Sequence, residues 1–158
     1  MPILHGPLCD GRYGRKPRGG PAAMPAACGM RFSLCCGREG CRRRTLPGSC
    51  LYMGARVYLA GVILVAVMLA QGRTDGKAVE KVMSMSGADR RTVRRWIAYF
   101  RVQFPASPGW QRLRGRVSAS VYDRGLPGSL IEQFLAAAPT EQEGLAACLH
   151  FLSGAWTG

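Results

Sequence analysis

"SGADRRTVRRW", Ser86 to Trp96, is the stretch on which the reading of this chain turns. Arg90, Arg91, Arg94 and Arg95 fall within six positions, on the first turn and a half of an expected helix. Positive charge at a helix N-terminus opposes the macrodipole. Arg90 with Arg94, and Arg91 with Arg95, also repel at i,i+4 spacing. All of these effects work against stability. At about 100° per residue, Val93, Trp96, Ile97, Phe100 and Phe104 share one face of a helix over 90–104. Arg91, Arg94 and Arg95 fall opposite, beside Ala98, with Arg90 and Arg101 at the boundary. Asp89 suits the N-cap and Pro105 the stop. The apolar stripe docks inward, and the arginines are left outside.

Upstream, "KAVEKVMSMSGAD" (Lys77–Asp89) supplies a shorter amphipathic helix over 76–84 and a turn at Gly87. The spacing is that of a helix-turn-helix: Gly87 in the turn, Val93 six residues later as the buried anchor, and Trp96 three after that. Ser86 and Met83 depart from the motif, which prefers an apolar and a small residue respectively. In such a motif the second helix enters the major groove, with its N-terminal residues at base edges. The residues placed there are Arg90, Arg91, Thr92, Arg94 and Arg95. Arginine pairs bidentately with guanine or holds phosphate, and Thr serves either. The negative charge missing from the chain is then supplied by double-stranded DNA. Two rival readings stand beside this one, a solvated helix face and an arginine face that docks on an acidic protein.

The strongly apolar run is "VYLAGVILVAVMLA", Val57–Ala70, which is fourteen residues bounded by Arg56 and Gln71. A bilayer span needs roughly 18 to 20. Extending the run to Leu51 forces Arg56 into the membrane at a cost of about 2.5 kcal/mol or more. A buried helix over 55–71, capped by Gly72, is therefore expected. A small membrane-associated protein that inserts residues 57–70 is the alternative.

The chain has 158 residues, 47% of them hydrophobic, with a formal charge of +13. Residues 1–124 hold all 22 Lys and Arg against six acids, and residues 125–158 hold three acids and no Lys or Arg. Such a basic body attracts phosphate backbones or anionic lipid. Nineteen of the 22 are Arg, however, which in a Gly- and Ala-rich chain also fits coding bias. Seven cysteines, an odd number, argue against a disulfide scaffold, and "MPILHGPLCDGRYGRKPRGGP" has no apolar signal region. A cytoplasmic protein is expected. "CCGREGC" places Cys36 and Cys41 on a Gly-rich turn that can present both sulfurs to one Zn²⁺. A closed site needs two more ligands, and His5, Cys9, Cys28 and Cys50 form no C-x2-C knuckle. Small buried thiols in a hairpin are the other reading.

Three parts follow. Residues 1–50 form a basic Cys/Gly/Pro-rich segment, ribbon-like or disordered, in which "MRFSLCCGREGCRRRTLP" reads as two short strands about a tight turn. Residues 51–105 form the helix-turn-helix domain. Residues 106–158 carry short helices near 109–118, 129–137 and 140–152, preceded by the Pro-containing "RGLPGS" and "APTEQE". Leu130, Ile131, Phe134 and Leu135 can pack on the core or meet a partner. Catalysis is not expected. Metal-dependent nuclease chemistry needs converging carboxylates, and the nine acids are scattered. His5 and His150 have no evident Ser, Cys or Asp partner, and Cys148 with His150 reads as part of an amphipathic core helix.

The segments "GRYGRKPRGGP", "RFSLCCGREGCRRRTLP", "MGARVYLAGV", "DRRTVRRW" followed by "FP", Trp110, "LPGSLIEQF" and "CLHFL" resemble bacterial insertion-sequence-associated proteins that join a zinc ribbon to a transposase-type helix-turn-helix. The resemblance covers most of the chain. It implies a mainly α fold with a homeodomain-like trihelical core and an irregular, zinc-ribbon-like N-terminus. It also implies DNA binding in transposition, with a transposase as a candidate partner. Arg90, Arg91, Thr92, Arg94, Arg95 and Trp96 carry over position by position. Lys16, Arg18, Arg42, Arg43 and Arg44 add backbone contacts from the ribbon side. Cys36 and Cys41 match one ligand pair of the ribbon. "MPIL" stands where C-P-x-C is expected, with Met1 and Leu4 in place of the first two ligands, and Cys9 stands where a histidine is usual.

Overall fold

A twelve-residue run without a single charge forms the central helix α1, Ala60–Gln71. Only one face of it is fully covered, through Ala60, Ile63, Leu64, Ala66, Val67 and Ala70. The computed structural model describes residues 6–20, 23–41, 43–53, 56–71 and 76–156. Five more helices follow: α2 (Gly76–Ser86), α3 (Arg90–Ala98), α4 (Pro108–Leu113), α5 (Gly128–Ala137) and α6 (Glu141–Ser153). An antiparallel sheet in the order β1-β2-β3 precedes them, from Leu8–Gly14, Met30–Cys36 and Arg44–Thr45. The chain is mainly α. Among the described residues no helix is long and apolar enough to cross a membrane.

The helix expected over 55–71 begins later, at Ala60. The Arg18 N–H donates to the Val57 carbonyl at 2.9 Å, and the Leu59 N–H donates to the Arg18 carbonyl at 3.1 Å. These bonds hold Val57–Leu59 extended, so a non-local pairing overrides local helix propensity. Gly72, the expected cap, lies outside the described residues.

The described residues of the N-terminal segment carry a three-stranded sheet. β1 and β2 pair along seven positions, from Leu8 opposite Cys36 to Gly14 opposite Met30. The two strands expected about the cysteine turn are β2 and β3, and β1 is an addition to that expectation. Alternation sorts the faces of β2. Arg31 and Ser33 are buried, and the Arg31 guanidinium lies 5.1 Å over the Tyr52 ring and donates to the Arg56 carbonyl. Met30 and Phe32 face solvent with Leu8, and Arg12 covers the Phe32 ring at 5.1 Å.

α2 and α3 are joined by Gly87, Ala88 and Asp89, and both pack against α1. α2 runs two residues further than expected, to Ser86. Gly87 has φ +63°, a conformation that Gly adopts without penalty, and its N–H donates to the Met83 carbonyl at 2.9 Å. Ser86 is only 5% exposed, yet its hydroxyl is satisfied at both ends. It donates to the Val82 carbonyl at 2.7 Å and accepts from the Ala88 N–H at 3.2 Å. A buried serine is thus accommodated without an unsatisfied polar atom.

The single helix expected over 90–104 is divided. It is α-helical to Ala98 and then makes one π turn, Tyr99–Gln103, with the Phe104 N–H donating to the Tyr99 carbonyl at 2.8 Å. Phe100, Phe104 and Trp110 are buried there in successive contact, with ring centroids 5.3 and 5.4 Å apart. Aromatic packing anchors the wider turn. The helix expected near 109–118 stops at Leu113 and tightens into a 3₁₀ turn, Arg114–Arg116. The helix expected over 129–137 is α5, in which Ser129 is buried and donates to the Tyr122 carbonyl at 3.4 Å. Thr140 does cap α6, accepting from the Glu143 N–H at 3.2 Å. One contiguous core runs from Met53 to Trp156 and takes in Leu130 and Ile131, with Phe134 and Leu135 packed against it.

Candidate nucleic-acid interface

The N-cap fixes where α3 begins. Asp89 accepts from the Thr92 N–H at 2.7 Å and from the Thr92 hydroxyl at 3.1 Å. The backbone hydrogen bond from Thr92 comes first among the causes that hold the Asp89 carboxyl below its usual pKa. From that cap, Val93 and Trp96 turn inward, and Trp96 meets the Tyr58 ring edge-on at 4.9 Å. Arg90, Arg91, Arg94, Arg95 and Arg101 are exposed, as is Ala98 between them. Among the described residues none of the five makes an ion pair; the pair that does form, Arg114 with Asp123 at 3.5 Å, lies elsewhere. α3 contains no acidic residue, and the carboxylate at its N-cap, Asp89, is engaged by Thr92 and by the charge of Arg91, so Arg94 and Arg95 have no counter-charge on the same helix.

Of the basic residues expected on the ribbon side, Lys16, Arg18, Arg43 and Arg44 are exposed, and Arg42 lies outside the described residues. Arg18 is tied by its backbone to Val57 and Leu59, beside the Tyr58 that packs on Trp96. This places the basic loop alongside α3. Arg43 and Arg44 stand at the other end of β2. Arg44 Nε donates to Cys35 Sγ at 3.1 Å, and Cys35 lies four residues, about 13 Å of strand, beyond Arg31.

Sequence reasoning missed Arg56. Its guanidinium lies 4.1 Å over the Tyr99 ring, on the same side of α3 as Thr92 and Arg95. Burial raises the pKa of Tyr99, and Arg56 partly offsets that rise. An arginine at the end of an apolar run reads only as a boundary marker; nothing local in the sequence assigns it to α3.

Cys36 and Cys41 do come together. Hydrogen bonds that the Cys41 sulfur accepts from the Arg43 backbone N–H and from the Cys36 thiol lower the Cys41 pKa. Cys36 is buried against Gly6, while Cys9 pairs across from Cys35 and so belongs to the other face of the sheet. Cys28 sits in a 3₁₀ turn whose carbonyl accepts from the Tyr52 hydroxyl. Among the described residues no three His, Cys, Asp or Glu side chains gather as a ligand set. His5 lies outside those residues. Two thiols do not make a closed tetrahedral zinc site, so the described donor set does not fit one. Cys148 is buried in α6 with its pKa pushed up to about 12 by desolvation, and His150 is exposed. No protein-family model, curated protein or solved structure matches this chain.

Proposed function

We propose that the protein binds double-stranded DNA without catalysing a reaction, using α2, the Gly87 turn and α3 as a helix-turn-helix with α1 as the third helix of the unit. The observation that carries this reading is the outer face of α3. Four arginines, Arg90, Arg91, Arg94 and Arg95, form no ion pair among the described residues and stand on a helix whose inner face is anchored by Val93 and Trp96, with Arg101 on the turn that follows. Phosphate is the counter-charge that such a face lacks, and guanine edges suit the arginines of its first turns. Arg18 and Lys16 add backbone contacts beside α3. Arg43 and Arg44 reach DNA only if the duplex extends along the sheet. A cytoplasmic location and a role beside a transposase follow from the same reading and from the sequence resemblance.

Duplex binding by fluorescence anisotropy across a salt series tests the proposal. A slope of log K against log salt of about −0.9 per phosphate contacted, steep enough for several contacts, is expected. A flat response to duplex, with tight binding to an acidic polypeptide, would assign the arginine face to a protein partner instead.

A further inference from the structure

Beside the outer face of α3 lies a cavity of about 510 Å³, whose other wall is the extended segment that begins at Arg56. Its polar lining comes from Arg56, Thr92, Arg95, Tyr99 and Gln103, beside Trp96, and among the described residues no acidic side chain lines it. Two guanidinium groups from separate elements therefore share one concave, partly desolvated space. Such a space selects an anion. It is far too small for a duplex and much larger than a lone phosphate needs, but it falls within the range of cavities that hold one small organic ligand. The Arg56 guanidinium lies over the Tyr99 ring at 4.1 Å, and a guanidinium plane is a surface on which a nucleobase stacks. Thr92 and Gln103 add hydroxyl and amide groups able to pair with a base or sugar edge.

We infer that this cavity binds a single unpaired nucleotide, with its phosphate at Arg95 and Arg56 and its base on the guanidinium of Arg56. Free mononucleotide and an unstacked nucleotide at a DNA end offer the same chemistry. The inference goes beyond the duplex reading and does not require it. Thr92 and Arg95 serve both surfaces, however, so a nucleotide in the cavity competes with duplex for them.

The test is an amide and arginine-Nε NMR titration of the full chain with AMP, with adenosine and with inorganic phosphate. AMP is expected to shift Thr92, Arg95, Tyr99 and Gln103 together with Arg56 Nε, and to bind at least tenfold more tightly than either fragment. Arg56→Gln is expected to weaken AMP at least tenfold. If that variant loses its dispersed spectrum, Arg95→Gln, at an exposed position, serves the same purpose. Equal affinity for phosphate and AMP, shifts spread over all exposed arginines, or no effect of either variant overturns the inference. Tighter binding of a duplex carrying one unpaired 3′ nucleotide than of the blunt duplex would identify the strand end as the source. AMP binding without that preference would identify free nucleotide. Blunt-duplex binding in a chain that ignores both AMP and the overhang refutes the cavity's role and leaves the proposed function standing.

Discussion

Replacing Arg91, Arg94 and Arg95 together with alanine separates the cost of the arginine face from its use. All three are exposed and lack an ion-pair partner among the described residues, so their removal deletes no packing. It relieves the i,i+4 repulsions of Arg91 with Arg95 and of Arg90 with Arg94, each about 0.2–0.5 kcal/mol. It also relieves the conflict of Arg91 with the helix dipole, about 0.3–1 kcal/mol at low salt. The folded state should therefore gain roughly 1 kcal/mol at low ionic strength, less when salt screens the charges. DNA binding should move the opposite way. Three phosphates no longer neutralised lower the salt slope by about 2.7 at roughly 0.9 each. Over the fourfold salt change from about 50 to 200 mM, the affinity gap between wild type and variant should then close by about 40-fold. Urea denaturation and duplex anisotropy on the same two proteins read both quantities. A variant that loses helix by circular dichroism, or that binds duplex with an unchanged slope, refutes the reasoning.

Four further outcomes are expected. Gly87→Ala should cost about 1–2 kcal/mol by denaturation, because open space surrounds the position and only its φ of +63° opposes a side chain. Gly109→Ala should cost more, since a Cβ there would run into the Ala155 backbone and push away the residues that follow α6; a wild-type melting temperature would refute that contact. The Asp89 carboxyl has a depressed pKa in the folded state, so its contribution is present above the unfolded value of about 4 and lost as pH falls through the folded one. Asp89→Ala should accordingly flatten the acid limb of stability below about pH 4 and leave the neutral-to-basic range parallel to wild type. Peptide mapping after brief thiol alkylation at neutral pH should find Cys41 modified well before Cys148, whose thiol is buried with its pKa near 12.

The helical half of the fold was legible because its signals are local. Val93, Trp96, Phe100 and Phe104 recur at helical spacing, Asp89 and Thr140 cap the following turns, and Gly87 marks the break. What the sequence did not disclose depends on distant partners. β1 carries Asp10, Gly11, Arg12 and Gly14 and lacks a strand pattern; it is extended because β2 supplies its hydrogen bonds. The late start of α1 has the same origin in Arg18. The π turn answers to the packing of Phe100 on Phe104 and Trp110, which no spacing rule encodes. Arg56 was passed over for a related reason, since its place over Tyr99 exists only once the extended segment lies along α3.

The same contrast bears on how firmly the arginine face is presented. α3 works against itself electrostatically, and a nine-residue helix with repelling arginines in its first turns is marginal alone. Its order must come from the other face. Val93 and Phe100 are wholly buried, and Trp96 is held by Tyr58, which the Arg18 bridge fixes in turn. A fully buried phenyl ring such as that of Phe100 is worth about 3–5 kcal/mol, several times what the exposed charges cost in total. Hydrophobic anchoring therefore outweighs the repulsion by a wide margin. The surplus is what allows an outer face to remain so unfavourably charged while the helix that carries its arginines stays ordered. Those arginines can meet phosphate or base edges without first paying to order the helix.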